Sequence, residues 1–420
     1  MRNLTRLASV AGAATIAAVA FTAPASAHTS KVLDDGAGHV VFVQNDNLAG
    51  NQIAAYDRSR SGALSLAGTY ETGGLGGKLD GSVVDHLASQ GSLTYDRRHS
   101  ELYAVNAGSN TVSVFAVDGD RLRLRQVVSS RGAFPVSITV HDDAVYVLNA
   151  LDGGSIQGYV NARGRLIPIR GWNRSLGLDP TATPQFTHTP GQVAFSPNGN
   201  HLIVTTKANT NAIDVFGIGW TGRPSAAPVV NTLPGAVPFA VTFDQAGHLV
   251  VAEAGTNSLV TFRLHASGNL TQIDAVASTQ KATCWVEPAG AYLFAGNAGG
   301  NGTPGFGSLS GYTASPSGQL TNLGATVTDP GTVDSSATPD GRYLYTQTGA
   351  NGIVDEFAVN ANGSLTRIGS VTVANAVGAE TSSLSSTLTS TAPFPCAAPW
   401  TRRSGLSGQS LGHARRSLSE

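Results

Sequence analysis

The chain has 420 residues, a formal net charge of -1 and only 13% charged residues. Neither sign dominates, which argues against the broad electrostatic footprint of a nucleic-acid or anionic-membrane binder. Fifty glycines alongside so few charges suit a large, turn-rich β protein better than a helical one.

The chain opens with Arg2 and Arg6, followed by an apolar run of small residues from Leu7 to Phe21. Ala25-Ser26-Ala27 has the small-x-small pattern of a signal-peptidase site, so residues 1–27 read as a signal peptide and the mature chain starts near His28. The run is short for a membrane span and no second candidate follows, which predicts a secreted protein; a retained N-terminal anchor is the other reading.

A repeat follows. Aromatic strand ends recur at Tyr56, Phe115, Tyr159, Phe216, Phe262, Tyr312 and Phe357, a spacing of about 50 residues that is close to a propeller blade. Each unit passes from an apolar strand into a turn such as SPNG (Ser196–Gly199), EPAG (Glu287–Gly290) or TPDG (Thr338–Gly341), with Pro and Gly placed for a type I turn. A second strand, a Gly/Asn-rich loop and a third strand come next. A Gly-x-Leu hairpin at Gly62, Gly164, Gly268, Gly318 or Gly363 leads into a fourth strand. Four short antiparallel strands repeated about seven times predict an all-β fold, a seven-bladed β-propeller of four-stranded blades; an open β-solenoid is the competing reading.

The blades are expected near residues 40–70, 92–132, 133–178, 190–235, 236–280, 281–331 and 332–372. The first lacks an innermost strand, which Gly378–Ser390 is placed to supply, giving a propeller domain over 28–390. Residues 391–420 read as a disordered tail. Glu71–Gly91 and Asn173–Thr189 are longer than ordinary blade connections, and long loops in compact folds are often functional. Cys284 and Cys396 are either a disulfide pair or one buried thiol and one tail thiol.

Strand direction sorts the candidate site. In every blade the start of strand one and the end of strand two reach the same face, so His188, Lys207 and Glu253 are expected at one mouth of the central channel. Glu253 is conspicuous because VVAEAGTNSLVTF (Val250–Phe262) repeats YAVNAGSNTVSVF (Tyr103–Phe115) with a carboxylate in place of Asn106. Plainer roles exist for each residue: loop hydrogen bonding for Glu253 and His188, a solvated cation for Lys207, and turn formation for Asn106, Asn110, Asn211 and Asn257. Asp85 and His86, in the first long loop, are placed to join the mouth and are a weak metal signal.

The SPNG-type turns, VNAGSNTVSVF, GAVPFAVTF and VVAEAGTNSLVTF resemble the seven-bladed lactonase family, which includes propeller-type 6-phosphogluconolactonases and carboxymuconate cyclases; the resemblance runs from about Val40 to Ala379. In that family a His, a Lys and a Glu occupy the top of adjacent blades, matched here by His188, Lys207 and Glu253. An Arg of the family pattern is replaced by Phe239, which disfavours a phosphorylated substrate. The resemblance implies an exported lactonase or cyclase acting on an unphosphorylated lactone, with Glu253, His188 and Lys207 catalytic; Phe239, Asn106, Asn257 and Trp285 are the candidate substrate contacts at the same mouth, with blade packing the plainer role of Trp285. No metal, cofactor, nucleic acid or membrane is expected, and the chain is expected to be a monomer. The alternative is a non-catalytic propeller that binds a glycan, peptide or protein at the same mouth.

Overall fold

A computed structural model describes residues 39–376, apart from residue 304, together with the backbone of the strand Ser383–Thr387. The signal segment, the tail and Cys396 lie outside the described residues.

The strands form seven four-stranded antiparallel sheets arranged in a ring. Blade 1 is built on Val40–Gln44, Gln52–Arg58 and Leu64–Glu71. The inner strands of blades 2 to 7 are Leu93–Asp96, Pro135–His141, Val193–Phe195, Pro238–Phe243, Thr283–Ala289 and Thr332–Ala337. Blade 1 receives its inner strand from Ser383–Thr387, which pairs with Val40–Gln44 and closes the ring between the two ends of the chain, as the missing strand predicted. Pairing of the two ends gives Val40–Gln44 a hydrogen-bonded neighbour on its channel side and ties the last segment of the chain to the first blade.

Burial follows strand rank. The second strand of blade 5, Leu249–Glu253, is buried along its whole length, because both its faces meet neighbouring blades. The outer strand of blade 3, Leu166–Ser175, mixes buried, half-buried and exposed residues. It runs past Asn173, so the second long connection begins after Ser175, three residues later than the sequence suggests.

Two kinds of residue lock blade to blade. Tyr345 donates its hydroxyl to the Gly62 carbonyl at 2.7 Å, joining blade 7 to the blade 1 hairpin. Gly62 has φ +90, and an added Cβ there would lie 2.4 Å from the Tyr343 ring, so glycine is required both by conformation and by space. The second kind is an asparagine in the loop between strands two and three. Asn110, Asn211 and Asn257 are all left-handed, with φ between 49 and 55. Their side-chain carbonyls accept the backbone N–H of Phe134, Val237 and Thr283, each at the start of the next blade.

Candidate functional site

The loops between strands two and three define the upper face. The first long connection, after Glu71, crosses this face and then descends into the channel. The Asp80 carbonyl accepts the Phe186 N–H and the Asp80 N–H donates to Gln185 Oε1, so Asp80 packs on the second long connection and the single-turn helix Gln185–His188. Further on, Trp285 Nε1 donates to the Ser89 carbonyl at 2.9 Å. The Gln90 side chain bonds both the N–H and the carbonyl of Val286. Ser89 Oγ donates to the Val136 carbonyl, and the Gln90 N–H to the Gly191 carbonyl. Ser89 and Gln90 thus tie blades 3, 4 and 6 together within the channel.

The two connections roof a cavity of about 130 Å³. Val83, Val84, Asp85, Ala88, Phe186 and Thr187 come from the roof; Lys207, Val237, Phe239, Cys284 and Trp285 come from blades 4, 5 and 6 below. The Phe239 ring meets the Trp285 ring edge-on at 4.9 Å and lies 5.1 Å from Lys207 Nζ. A larger open cleft of about 630 Å³ around Pro197, His201 and Ala266 sits on the opposite face, away from these groups.

Lys207 is fully buried and its φ is +49. It stands just past strand two of blade 4, which ends at Thr205. The Thr206 N–H bonds the Ala212 carbonyl, so Thr206 takes the place that Asn106 and Glu253 hold opposite Thr111 and Ser258. One extra loop residue therefore swings Lys207 inward. Its ammonium donates to the carbonyls of Ala88 at 2.8 Å and Phe186 at 2.6 Å and to Thr189 Oγ1 at 3.2 Å. It thereby ties both roof segments to blade 4. It is not a solvated cation.

Asp85 is the charge that acts most strongly on Lys207. Its carboxylate is 3% exposed and accepts the N–H groups of Leu87 at 2.9 Å and Ser89 at 3.0 Å. Burial pushes the Asp85 carboxyl up to about 7, against those backbone bonds and the Lys207 charge. Burial likewise pushes Lys207 down to about 7, against the pull of Asp85. Both groups are thus brought near neutrality by the same cause, loss of water. The Cys284 thiol, free and buried beside them, is pushed up to about 12 by desolvation, so it enters as a neutral, apolar wall.

Of the three ionisable residues expected at one mouth, Lys207 lines this cavity, and the candidate substrate contacts Phe239 and Trp285 line it too. Glu253 follows Val237–Phe239 in register and precedes the lining residue Ala254, but its own carboxylate takes the Thr256 hydroxyl at 3.0 Å. Burial raises its carboxyl above the ordinary value, and the Thr256 bond opposes that shift. His188 Nδ1 sits 2.9 Å from Thr187 Oγ1 and 3.0 Å from the Pro184 carbonyl. The imidazole is held within its own loop. Asn106 is buried, donating to Thr111 and Ser113 and accepting from Asn51. Asn257 is occupied by Thr283, as above.

Asp85, placed by the sequence to join the mouth from the first long loop, does line the cavity. Its neighbour His86 faces different surroundings: it is buried, pushed down to about 4 by desolvation and then by Lys78, and neither ring nitrogen has a hydrogen-bond partner among the described residues. Among the described residues no group of three or more His, Cys, Asp or Glu side chains is placed to hold a metal ion.

The chain is a seven-bladed β-propeller with a roofed, mostly apolar cavity on its upper face. Structurally it is similar to the periplasmic gluconolactonase of Pseudomonas aeruginosa, with a TM-score of 0.65 and 19% identity over 83% of this chain and 99% of that one. A candidate 6-phosphogluconolactonase of Bacteroides fragilis gives the same TM-score, 0.65, and 19% identity over 83% and 98% of the two chains. A Lactobacillus plantarum protein gives 0.63 and 15% over 84% and 100%. At these identities the likeness is one of fold. By sequence, no protein-family model and no curated protein matches the chain. No helix among the described residues is long and apolar enough to cross a membrane.

Proposed function

We propose that the chain is an exported hydrolase that opens, or in reverse closes, the ring ester of an unphosphorylated small lactone in the roofed pocket. The observation that carries the reading is that a buried carboxyl, Asp85, and a buried amine, Lys207, line one roofed, mostly apolar cavity; burial raises the first and lowers the second, both towards about 7. Such convergence is characteristic of groups that exchange protons with a substrate. The fold shared with the gluconolactonase adds support by analogy.

The Asp85 carboxylate takes a proton from water as the oxygen of that water adds to the lactone carbonyl carbon. Negative charge developing on the carbonyl oxygen is met by the Lys207 ammonium, with that oxygen replacing the Thr189 hydroxyl, the most distant of its three partners. The ring carbon–oxygen bond breaks, and the leaving alkoxide takes the proton back from Asp85. The product is a hydroxy acid that releases one proton to bulk solvent. Phe239, in place of a cation, leaves no second positive group for a phosphate at this wall.

Glu253 is the rival base, being buried, raised and next to Ala254. A pH-stat assay of the mature protein with Asp85→Asn and Glu253→Gln decides between them. Asp85→Asn is expected to lower acid release by at least about 100-fold, the usual weight of a general base, with Glu253→Gln within a few-fold of the parent. The reverse result moves the base to Glu253. A second reading, a binding module, is favoured by the full engagement of Lys207 within the protein. Absence of acid release from every lactone tried would select it.

A further inference from the structure

We infer that the pocket selects a small, unsubstituted five- or six-membered lactone and rejects polyhydroxylated sugar lactones; this rests on the lactonase reading above. The first ground is size. The cavity holds about 130 Å³. An apolar cavity of about 150 Å³ is filled by a benzene molecule. A ring of about six or seven non-hydrogen atoms therefore fits, whereas a hexonolactone with its hydroxymethyl arm does not.

The second ground is the engagement of every polar group at the wall. Trp285 Nε1 is taken by the Ser89 carbonyl, so the indole presents carbon. Thr187 Oγ1 bonds Pro184 and His188 in its own loop. The Lys207 ammonium has its three donors placed, and the two Asp85 oxygens accept Leu87 and Ser89. What remains is Val83, Val84, Val237, Phe239 and the neutral Cys284. One ester group can be served by the charged couple; a set of ring hydroxyls cannot. An apolar pocket disfavours a ligand bearing one extra hydroxyl by about 100-fold, and several compound that loss. Phe239 and Trp285 are then the specificity-determining residues, their crossed rings forming the wall against which the methylene edge of the lactone packs.

The test pairs δ-valerolactone with D-glucono-δ-lactone, two six-membered lactones that differ in hydroxyl and hydroxymethyl substituents, in the pH-stat. Cyclopentanone and inositol are titrated by calorimetry as unreactive apolar and polyhydroxylated rings. A kcat/KM at least about 1,000-fold higher for δ-valerolactone, with heat from cyclopentanone and none from inositol, is expected. Ala298→Leu, which fills the cavity from a lining position, should abolish the cyclopentanone heat while leaving the circular dichroism unchanged. If gluconolactone is turned over as well as valerolactone, the inference falls and the lactonase reading stands. If neither is hydrolysed but cyclopentanone still binds and inositol does not, the pocket's preference stands and the hydrolysis reading falls. If neither probe binds and neither lactone reacts, both fall.

Discussion

Gln90 and Val286 are 196 positions apart in the chain and are joined by two hydrogen bonds, from Gln90 Nε2 to the Val286 carbonyl at 2.9 Å and from the Val286 N–H to Gln90 Oε1 at 3.0 Å. The amide side chain thus imitates a strand partner for a residue on the inner edge of blade 6. An inner strand has no neighbour on its channel side, and this contact satisfies polar groups there that a dry channel would leave costly.

Gln90→Ala should therefore destabilise the protein by about 2 to 4 kcal/mol, since a buried donor and a buried acceptor both lose their partner. Urea unfolding with an unchanged m-value measures it. A change below about 0.5 kcal/mol would mean that water replaces the side chain and that the channel is wet at this level.

Lys207→Met tests the roof. It removes the buried donor shared by the Ala88 and Phe186 carbonyls and by Thr189. Each buried acceptor left without its partner costs about 1 to 3 kcal/mol. The loss should be local as well as global: amide exchange should accelerate at residues 85–89 and 186–189 and stay slow in Leu249–Glu253. Uniform acceleration would show that Lys207 supports the ring as a whole, with no special hold on the roof.

Much of this architecture is legible in the sequence because it is written in short-range chemistry. Alternation, the Gly and Asn punctuation and the aromatic strand ends give the blades, and the deficit in blade 1 gives the closing strand at Ser383–Thr387. Strand polarity points Lys207, together with His188 and Glu253, at the upper face, and Lys207 lines the cavity there beside Phe239 and Trp285. The path of a long loop has no such code. Asp85 reaches Lys207 only because Leu79, Leu87 and Ala88 are buried in the core and Ser89 and Gln90 bind distant blades. The fate of Glu253 is hidden for a different reason. The Thr256 that accepts its attention is Ser109 in the parent repeat, and Ser109 bonds elsewhere, to the Leu75 N–H and to Thr111. One methyl group and one carboxylate redirect a local network without altering the strand pattern.

Glu287, on the inner strand of blade 6, makes a prediction about stability that is separate from the pocket. Burial raises its carboxyl to about 8; Asp334 adds to the rise, while the Ala337 N–H, at 3.0 Å, and Arg97 oppose it. The folded chain therefore keeps a proton that the unfolded chain releases near 4.5. Stability from this group is complete below the unfolded value and is lost as pH rises towards 8. Glu287→Gln, which keeps the acceptor for Ala337, should gain on the parent across that window by at most about 1.4 kcal/mol per pH unit. Denaturant midpoints at pH 5 and pH 8 measure the difference; an equal effect of the substitution at both would show that Glu287 titrates normally.

The Asp85–Lys207 couple predicts the shape of the pH–rate profile. The working form of the pair holds one proton fewer than the fully protonated pair and one more than the fully deprotonated pair. Because both groups are brought to about 7 and act on each other, the limbs belong to the pair and not to either residue. The profile of kcat/KM should be a bell centred near pH 7. Acid protonates the Asp85 carboxylate and removes the base; alkali removes the Lys207 charge that meets the oxyanion. Asp85→Asn should erase the acid limb in whatever activity remains, because the amide does not titrate. Replacing Lys207 with Arg should move the alkaline limb beyond the measurable range, since guanidinium stays charged, although its planar fork fits the three partners of the ammonium poorly and lowers the plateau. An acid limb that survives in Asp85→Asn and vanishes in Glu253→Gln would assign the titrating base to Glu253 and leave Asp85 as the counter-charge that holds Lys207 in its ionised form.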